Sequence, residues 1–145
     1  RTGTVAGVGV VPTEVRFGRE KTLGRPVGTA LGQPVHGYEI HHGVVTVDDG
    51  AEPFLDGARA GSVWGTTWHG ALENDGFRRA FLAEVARRSG RRFVPAPDTD
   101  FAAVREAQLD RLGDLVAEHA DTTALWRLLE TGAPEGLPLL PPGSA

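Results

Sequence analysis

Cysteine and methionine are both absent from the 145 residues. Without cysteine, the chain can form no disulfide framework, no thiolate zinc site and no cysteine nucleophile of its own. Because the chain also opens on Arg1 and not on methionine, we expect a piece of a longer protein, or a protein whose beginning has been removed.

Lysine and long apolar runs are scarce as well. Lys21 is the single lysine among 15 basic residues, which face 19 acidic ones and leave a net charge of −4. An acidic balance with arginines spread along the chain argues against a nucleic-acid partner. No apolar run approaches the ~20 residues that cross a bilayer, and the N-terminus lacks the apolar core of a signal peptide. We therefore expect a cytoplasmic protein with neither nucleic acid nor membrane as partner.

The first half of the chain has the texture of strands and turns, being rich in glycine, valine and proline. Apolar or alternating runs with β-branched residues are typical of strands. Charged residues flanked by glycine are typical of a loop. The predicted strands are 5–11, 37–47 and 62–68, and the predicted loop is 16–24.

The second half has helical periodicity. Asn74 or Asp75 is placed to cap a first helix that stops near Gly90, and further helices are predicted to begin near Asp100 and Asp121. Residues 132–145 carry four prolines and are predicted to be a flexible tail. The order of elements, with strands in the first half and helices in the second, fits an α+β domain as well as the second half of an α/β domain. Because the start is missing, we favour the α/β domain, over residues 1–131.

A histidine stands at the tip of the third predicted strand, in the segment G-T-T-W-H-G that begins at Gly65. Open α/β sheets keep their sites at the carboxyl ends of strands, and an imidazole there can act as a general base near neutral pH. The competing interpretation of His69 is an ordinary surface histidine at a turn.

A second polar segment, G-Y-E-I-H-H-G, begins at Gly37. On a strand, Glu39 and His41 share one face, where a carboxylate can fix the tautomer and orientation of an imidazole. The alternative is a strand with ordinary polar residues. A zinc site is also conceivable, but we expect no metal, because the spacing of the candidate ligands matches no standard zinc motif: His36, His41, His42 and His69.

Two other features have a simple interpretation beside a functional one. The charged loop at Arg16, Arg19, Glu20 and Lys21 could meet an anionic ligand or a partner domain, although a solvated loop is the default. The chain carries no nucleotide-binding glycine motif, so we expect no cofactor to bind here.

Four segments together resemble the glutamine amidotransferase domain of the cobyric acid synthase family. The resemblance spans nearly all of residues 5–129. It is carried, in order, by V-G-V-V-P-T-E-V-R-F-G-R-E-K-T from Val8, G-Y-E-I-H-H-G from Gly37, S-V-W-G-T-T-W-H-G-A-L-E-N-D-G-F-R-R-A-F-L from Ser62, and R-E-A-Q-L-D-R-L-G-D from Arg105.

The resemblance implies the C-terminal part of a doubly wound, flavodoxin-like class I amidotransferase domain. In this family a cysteine attacks glutamine and releases ammonia, and the histidine that matches His69 is its catalytic partner. The ammonia then serves a synthetase domain of the same polypeptide, which uses ATP and Mg²⁺ to amidate carboxylates of an adenosylated corrinoid. By the same resemblance, Tyr38 and His41 are candidate substrate-binding residues.

Two departures from the amidotransferase pattern matter. The cysteine nucleophile would precede Arg1, so this chain alone should not hydrolyse glutamine. Class I enzymes also carry a glutamate two residues after the histidine, where this chain has Ala71; Glu39 is the hypothetical substitute that orients His69. The alternative function is a cysteine-free, non-catalytic binding or scaffold module. We also expect the chain to aggregate or associate tightly unless the missing half of the domain is supplied.

Overall fold

The computed structural model describes residues 3–139, in which seven strands precede three helices. The order of strands first and helices second is the α/β arrangement predicted from the sequence. The chain divides into two compact units, residues 1–101 and residues 102–145. The elements are β1 (Thr13–Gly24), β2 (Val27–Ala30), β3 (Gln33–His36), β4 (Glu39–Val47), β5 (Glu52–Phe54), β6 (Gly57–Ala60), β7 (Val63–Gly65), α1 (Asp75–Arg88), α2 (Phe101–His119) and α3 (Thr122–Thr131).

A two-stranded antiparallel ribbon is formed by β1 and β4, so the loop predicted over residues 16–24 is wrong. Phe17 pairs with Gly43 and Thr22 pairs with His41, which leaves residues 18–21 opposite His42 alone. The charged stretch is thus a bulge within a strand. Its nonlocal partner, β4, overrides the local preference for a loop.

Every strand pair within residues 3–139 is antiparallel: β1 with β4, β2 with β3, and β6 between β5 and β7. The parallel part of a flavodoxin-like sheet is therefore not built from these strands. The strand predicted over residues 5–11 is wrong. This segment runs exposed and pairs with no strand of the described chain, and a lone extended segment is not stable as a strand.

The core of the first unit lies where the β2–β3 hairpin meets α1. Val35 is fully buried and Phe77 is 2% exposed, and Ala30 and Ala71 complete the cluster. Trp68 packs against this cluster, and Trp64 makes an edge contact with Phe54 at 5.0 Å between ring centroids. Both tryptophans therefore serve packing.

All three predicted helices are confirmed. Asn74 and Asp121 occupy the cap positions of α1 and α3, and Gly90, with φ of +65°, follows the end of α1. The start of α3 and the end of α1 depend on neighbours in sequence, which is why they were predictable. No helix of residues 3–139 is both long and apolar enough to cross a bilayer.

The predicted tail falls partly outside the part of the chain that the structure describes. Residues 132–139 follow α3 without helix or strand, and residues 140–145 lie outside the described residues. The domain boundary predicted at residue 131 stays a prediction.

Candidate functional site

The candidate site is the segment that follows β7. The predicted strand over residues 62–68 is shortened to Val63–Gly65, because Thr66 and Thr67 turn away to hydrogen-bond a side chain of the β5–β6 turn. Trp68 then anchors the chain in the core, His69 stands exposed, and Gly70 adopts a left-handed φ of +74° before a short 3-10 turn, Ala71–Glu73. We call residues 66–69 the histidine segment.

Tyr38 holds His69 through backbone and ring. The Tyr38 N–H donates to the His69 carbonyl at 3.0 Å, and the His69 N–H donates to the Tyr38 carbonyl at 2.9 Å. Their rings stack with centroids 4.9 Å apart and planes 19° apart. A Cβ on Gly37 would lie 2.7 Å from the His69 carbonyl oxygen, so this close approach requires glycine. Tyr38 and His69 are thus brought together at the surface.

Glu39 and His41 form a second pair, behind the first. The His41 Nε2 lies 3.5 Å from the Glu39 carboxylate and 3.2 Å from the Thr67 hydroxyl. Both side chains are largely buried, at 19% and 22% exposed, and the His41 Nδ1 is buried without a hydrogen-bond partner. Within the described residues, the partner of Glu39 is thus His41 and not His69.

Asp56, which the sequence analysis did not single out, connects the two pairs. It lies in the two-residue turn between β5 and β6, after Leu55 with φ of +53°. Its carboxylate accepts hydrogen bonds from the Thr66 hydroxyl at 2.5 Å, from the Thr67 N–H at 3.1 Å and from the Thr67 hydroxyl. The dipeptide Asp56–Gly57 is a hairpin-turn pattern, which predicts the turn but not these partners.

On the other side of His69, Asn74 fixes the start of α1. Its side-chain amide donates to the carbonyls of His36 and Ala71 at 2.7 and 2.9 Å, and its oxygen accepts from the His36 N–H at 3.1 Å. These bonds tie the end of β3 to the turn after His69. One buried side chain thereby satisfies backbone hydrogen-bonding groups of both segments where they meet.

The clearest electrostatic feature of the neighbouring helix is Asp75. Burial raises the pKa of its carboxyl, but hydrogen bonds from Arg78 and the Phe101 N–H, together with the positive charges of Arg78 and Arg79, outweigh it, and the net pKa is lowered. Asp75 also lies in the first turn of α1, where a negative charge favours the helix dipole.

Glu39, His41 and Asp56 come close enough for a shared cation. One ligand atom from each lies within 4.8 Å of the others, and imidazole and carboxylate are ligands that Zn²⁺ accepts. Only one of the four histidines considered as zinc ligands belongs to this group. Both Asp56 oxygens already accept hydrogen bonds from the threonines, which a cation would have to replace.

In this arrangement the imidazole of His69 is exposed, and hydrogen bonds with Tyr38 and Asp56 hold the backbone that carries it. Such a group can take a proton from a nucleophile and return it to a leaving group. A cysteine nucleophile at this position would have to come from outside residues 1–145, because the sequence contains no cysteine.

The part of the chain that holds the candidate site matches a known protein family. Residues 1–77, which include His69, match the profile of the CobB/CobQ-like glutamine amidotransferase domain. No solved structure matches the chain.

Relatives match over almost the whole chain. A cobyric acid synthase of Streptomyces coelicolor is 70% identical over 144 residues, and one of Streptomyces avermitilis is 69% identical, each aligned with 99% of this chain and 28% of the relative. A cobyric acid synthase of Saccharopolyspora erythraea is 55% identical, over 98% of this chain and 29% of the relative. The chain thus spans under a third of the length of these relatives.

Proposed function

Because this chain belongs to the CobB/CobQ-like glutamine amidotransferase domain family, we propose that it forms the histidine-bearing part of a domain that releases ammonia from glutamine. One observation carries the proposal: His69 is exposed on a braced backbone inside the matched residues. An exposed imidazole with a fixed main chain suits a group that must meet a substrate and a nucleophile from another segment.

The proposed chemistry pairs His69 with a cysteine outside residues 1–145. The imidazole takes the thiol proton, and the thiolate attacks the side-chain amide carbon of glutamine. As the tetrahedral intermediate collapses, the imidazolium gives its proton to the departing nitrogen, which leaves as ammonia. Water, deprotonated by the same imidazole, then cleaves the glutamyl thioester to glutamate and restores the thiol.

The polypeptide as a whole is proposed to act as a cobyric acid synthase in cobalamin biosynthesis, as its relatives are named. A synthetase domain would use ATP and Mg²⁺ to activate carboxylates of an adenosylated corrinoid, and the ammonia would amidate them. These groups would bind outside this chain. The bulge at residues 18–21 is a candidate contact with the synthetase domain, because it exposes charged side chains on an otherwise regular ribbon.

Three further residues take supporting roles in this proposal. Tyr38, 51% exposed and stacked on His69, is proposed to line the glutamine site. From the sequence, Glu39 is predicted to orient His69, and His41 is predicted to bind substrate. Their mutual ion pair and the His41–Thr67 contact favour an indirect role for both, through the histidine segment.

The test uses a full-length fusion in which this chain replaces the matching residues of the Streptomyces coelicolor relative. Amidation is measured once with glutamine and once with ammonium salt. We expect His69→Ala to lower glutamine-dependent amidation by at least ~10³-fold, since base and nucleophile act as one unit. Ammonia-dependent amidation should be unchanged, because the synthetase reaction does not use His69.

The matched control is His36→Ala, which removes an exposed imidazole at the end of β3 and keeps the backbone hydrogen bonds between residue 36 and Asn74. It should leave both activities unchanged, and the isolated 145-residue chain should show no glutamine hydrolysis. If the fusion amidates with ammonia but never with glutamine, the chain is the non-catalytic binding module. If His69→Ala retains glutamine-dependent activity, the role given to His69 is wrong.

A further inference from the structure

Within residues 3–139, the histidine segment has no strand partner beyond the single Tyr38–His69 bridge. Its backbone leaves the sheet at Gly65, and the chain's next regular element is the 3-10 turn at Ala71. A segment with so few ladder hydrogen bonds depends on side chains to fix its course. The bridge to Tyr38 holds the backbone of His69 itself, and the course of residues 66–68 has to be fixed by other contacts.

Asp56 supplies hydrogen bonds that a neighbouring strand would otherwise make with this segment. The Thr66 hydroxyl donates to one carboxylate oxygen at 2.5 Å, the Thr67 N–H donates to the same oxygen at 3.1 Å, and the Thr67 hydroxyl donates to the other. The Thr66 hydroxyl in turn accepts the Trp68 N–H at 3.1 Å. One carboxylate therefore fixes three consecutive residues directly before His69.

A carboxylate suits this task better than a neutral group. It accepts hydrogen bonds at both oxygens, and hydrogen bonds to a charged acceptor are about twice as strong as neutral ones. The three donors, two hydroxyls and one backbone N–H, match an acceptor-only group. The His41 Nε2 also contacts the Thr67 hydroxyl at 3.2 Å, which extends the brace to Glu39.

We propose that Asp56 is the positioning residue of the amidotransferase site: through Thr66 and Thr67 it sets the course of the histidine segment and so the place of the His69 imidazole. This inference rests on the proposed function, because it takes His69 as the partner of the cysteine. Asp56 does not touch the reacting atoms. Its effect travels along four residues of backbone, where a displacement of about 1 Å can lower a rate by about 100-fold.

The experiment uses the same full-length fusion and the isosteric change Thr67→Val, which removes the hydroxyl and keeps the shape. We expect kcat for glutamine hydrolysis to fall about 10- to 100-fold, with KM for glutamine unchanged within about twofold. Thr67→Ser keeps the hydroxyl and should restore kcat to within about threefold of the parent. Asp56→Asn should lower kcat at least as far as Thr67→Val, because it removes the charge that strengthens all three hydrogen bonds and sets an NH₂ group against a donor.

A second measurement separates positioning from general weakening of the fold. A nearby imidazole favours the thiolate of a cysteine, so the rate of alkylation by iodoacetamide rises at a lower pH when His69 is in place. In Asp56→Asn and Thr67→Val this pH profile should move upward, toward that of His69→Ala. Glu52→Gln is the control, since it removes a carboxylate from the same hairpin, where Glu52 is 72% exposed and pairs only with Arg59 within residues 3–139.

The outcomes separate the two proposals. If His69→Ala abolishes glutamine hydrolysis while Asp56→Asn and Thr67→Val keep kcat and the alkylation profile of the parent, the positioning role is wrong and the proposed function stands. If His69→Ala itself keeps the kcat and the alkylation profile of the parent, the proposed function is wrong, and the positioning role falls with it. One equivalent of bound Zn²⁺ that is lost in Asp56→Asn would also overturn the proposal, because Asp56 would then be a ligand.

Discussion

The helices of the two units differ in what they bury. In the first unit, α1 buries Phe77 against Val35, and the histidine segment is fixed on both sides of that core. In the second unit, α2 and α3 bury no residue, although α2 carries apolar side chains at helical spacing. Exposed side chains of this stripe include Leu109, Leu112, Leu115 and Val116.

The difference teaches that helical periodicity and completed packing are separate properties. Both helices have the periodicity, but α1 buries Phe77 and α2 buries no residue. Because most helical stability in proteins comes from packing an apolar face, α2 is expected to find its partner elsewhere in the polypeptide. The candidate site stands in the unit that holds the buried cluster.

The largest effect should come from emptying the core of the first unit. Phe77→Ala removes a side chain that is 2% exposed, and should lower the free energy of unfolding by about 3–5 kcal/mol. The measurement is urea denaturation of the full-length fusion, followed by the fluorescence of Trp64 and Trp68 through single-tryptophan variants. A change below about 1 kcal/mol would show that this cluster is not the core.

A smaller effect should come from the apolar stripe of α2. Leu112 is 58% exposed within this chain, and a Leu→Ala change at an uncovered surface usually stays within about 0.5 kcal/mol. If the rest of the polypeptide covers the stripe, Leu112→Ala in the fusion should cost about 2 kcal/mol or more.

We expect Leu112→Ala to show the larger cost, that of a covered stripe. Arg111→Ala, which removes a long side chain beside the leucine on the same helix, is the control and should be near neutral. A near-neutral Leu112→Ala in the fusion would contradict the view that α2 has a partner outside this chain.

The smallest effect should be electrostatic and confined to acid. Because the folded-state pKa of Asp75 is lowered from 3.8, its ionised form stabilises the fold above the unfolded-state value, and this contribution is lost as pH falls through the folded-state pKa. Asp75→Asn should therefore lower the melting temperature at pH 7, by an amount that shrinks below about pH 4.

Asp110→Asn on the exposed face of α2 is the matched control, with no such gap expected at either pH. A constant difference between Asp75→Asn and the parent from pH 7 to pH 3 would mean that Asp75 acts through shape and not through charge.

How far the sequence predicts the structure depends on how local the cause is. The cap at Asp121 and the turn at Gly90 are set by their neighbours, so these helix ends could be located, whereas the Asn74 side chain bonds His36, 38 residues away. The bulge at residues 18–21 could not be located, since it depends on a strand some twenty residues away. Local polarity at that point favours a loop, and only the partner strand decides otherwise.

The candidate site shows the same limit. The pattern G-T-T-W-H-G predicts His69 at the tip of a strand, but β7 ends at Gly65, four residues earlier; the alternation of Glu39 and His41 does predict their pairing. Asp56 lies 10 and 11 residues from the threonines that it binds. The turn sequence L-D-G does not reveal whether its carboxylate binds another loop or faces water.

The most direct test of the central claim follows the glutamyl group. The full-length fusion is mixed with isotopically labelled glutamine, quenched in acid within one turnover, and digested for mass spectrometry. We predict one labelled thioester per polypeptide, on a cysteine outside residues 1–145, and at least ~10³-fold slower labelling with His69→Ala. Labelling within residues 1–145, or labelling at an unchanged rate in His69→Ala, would contradict the account.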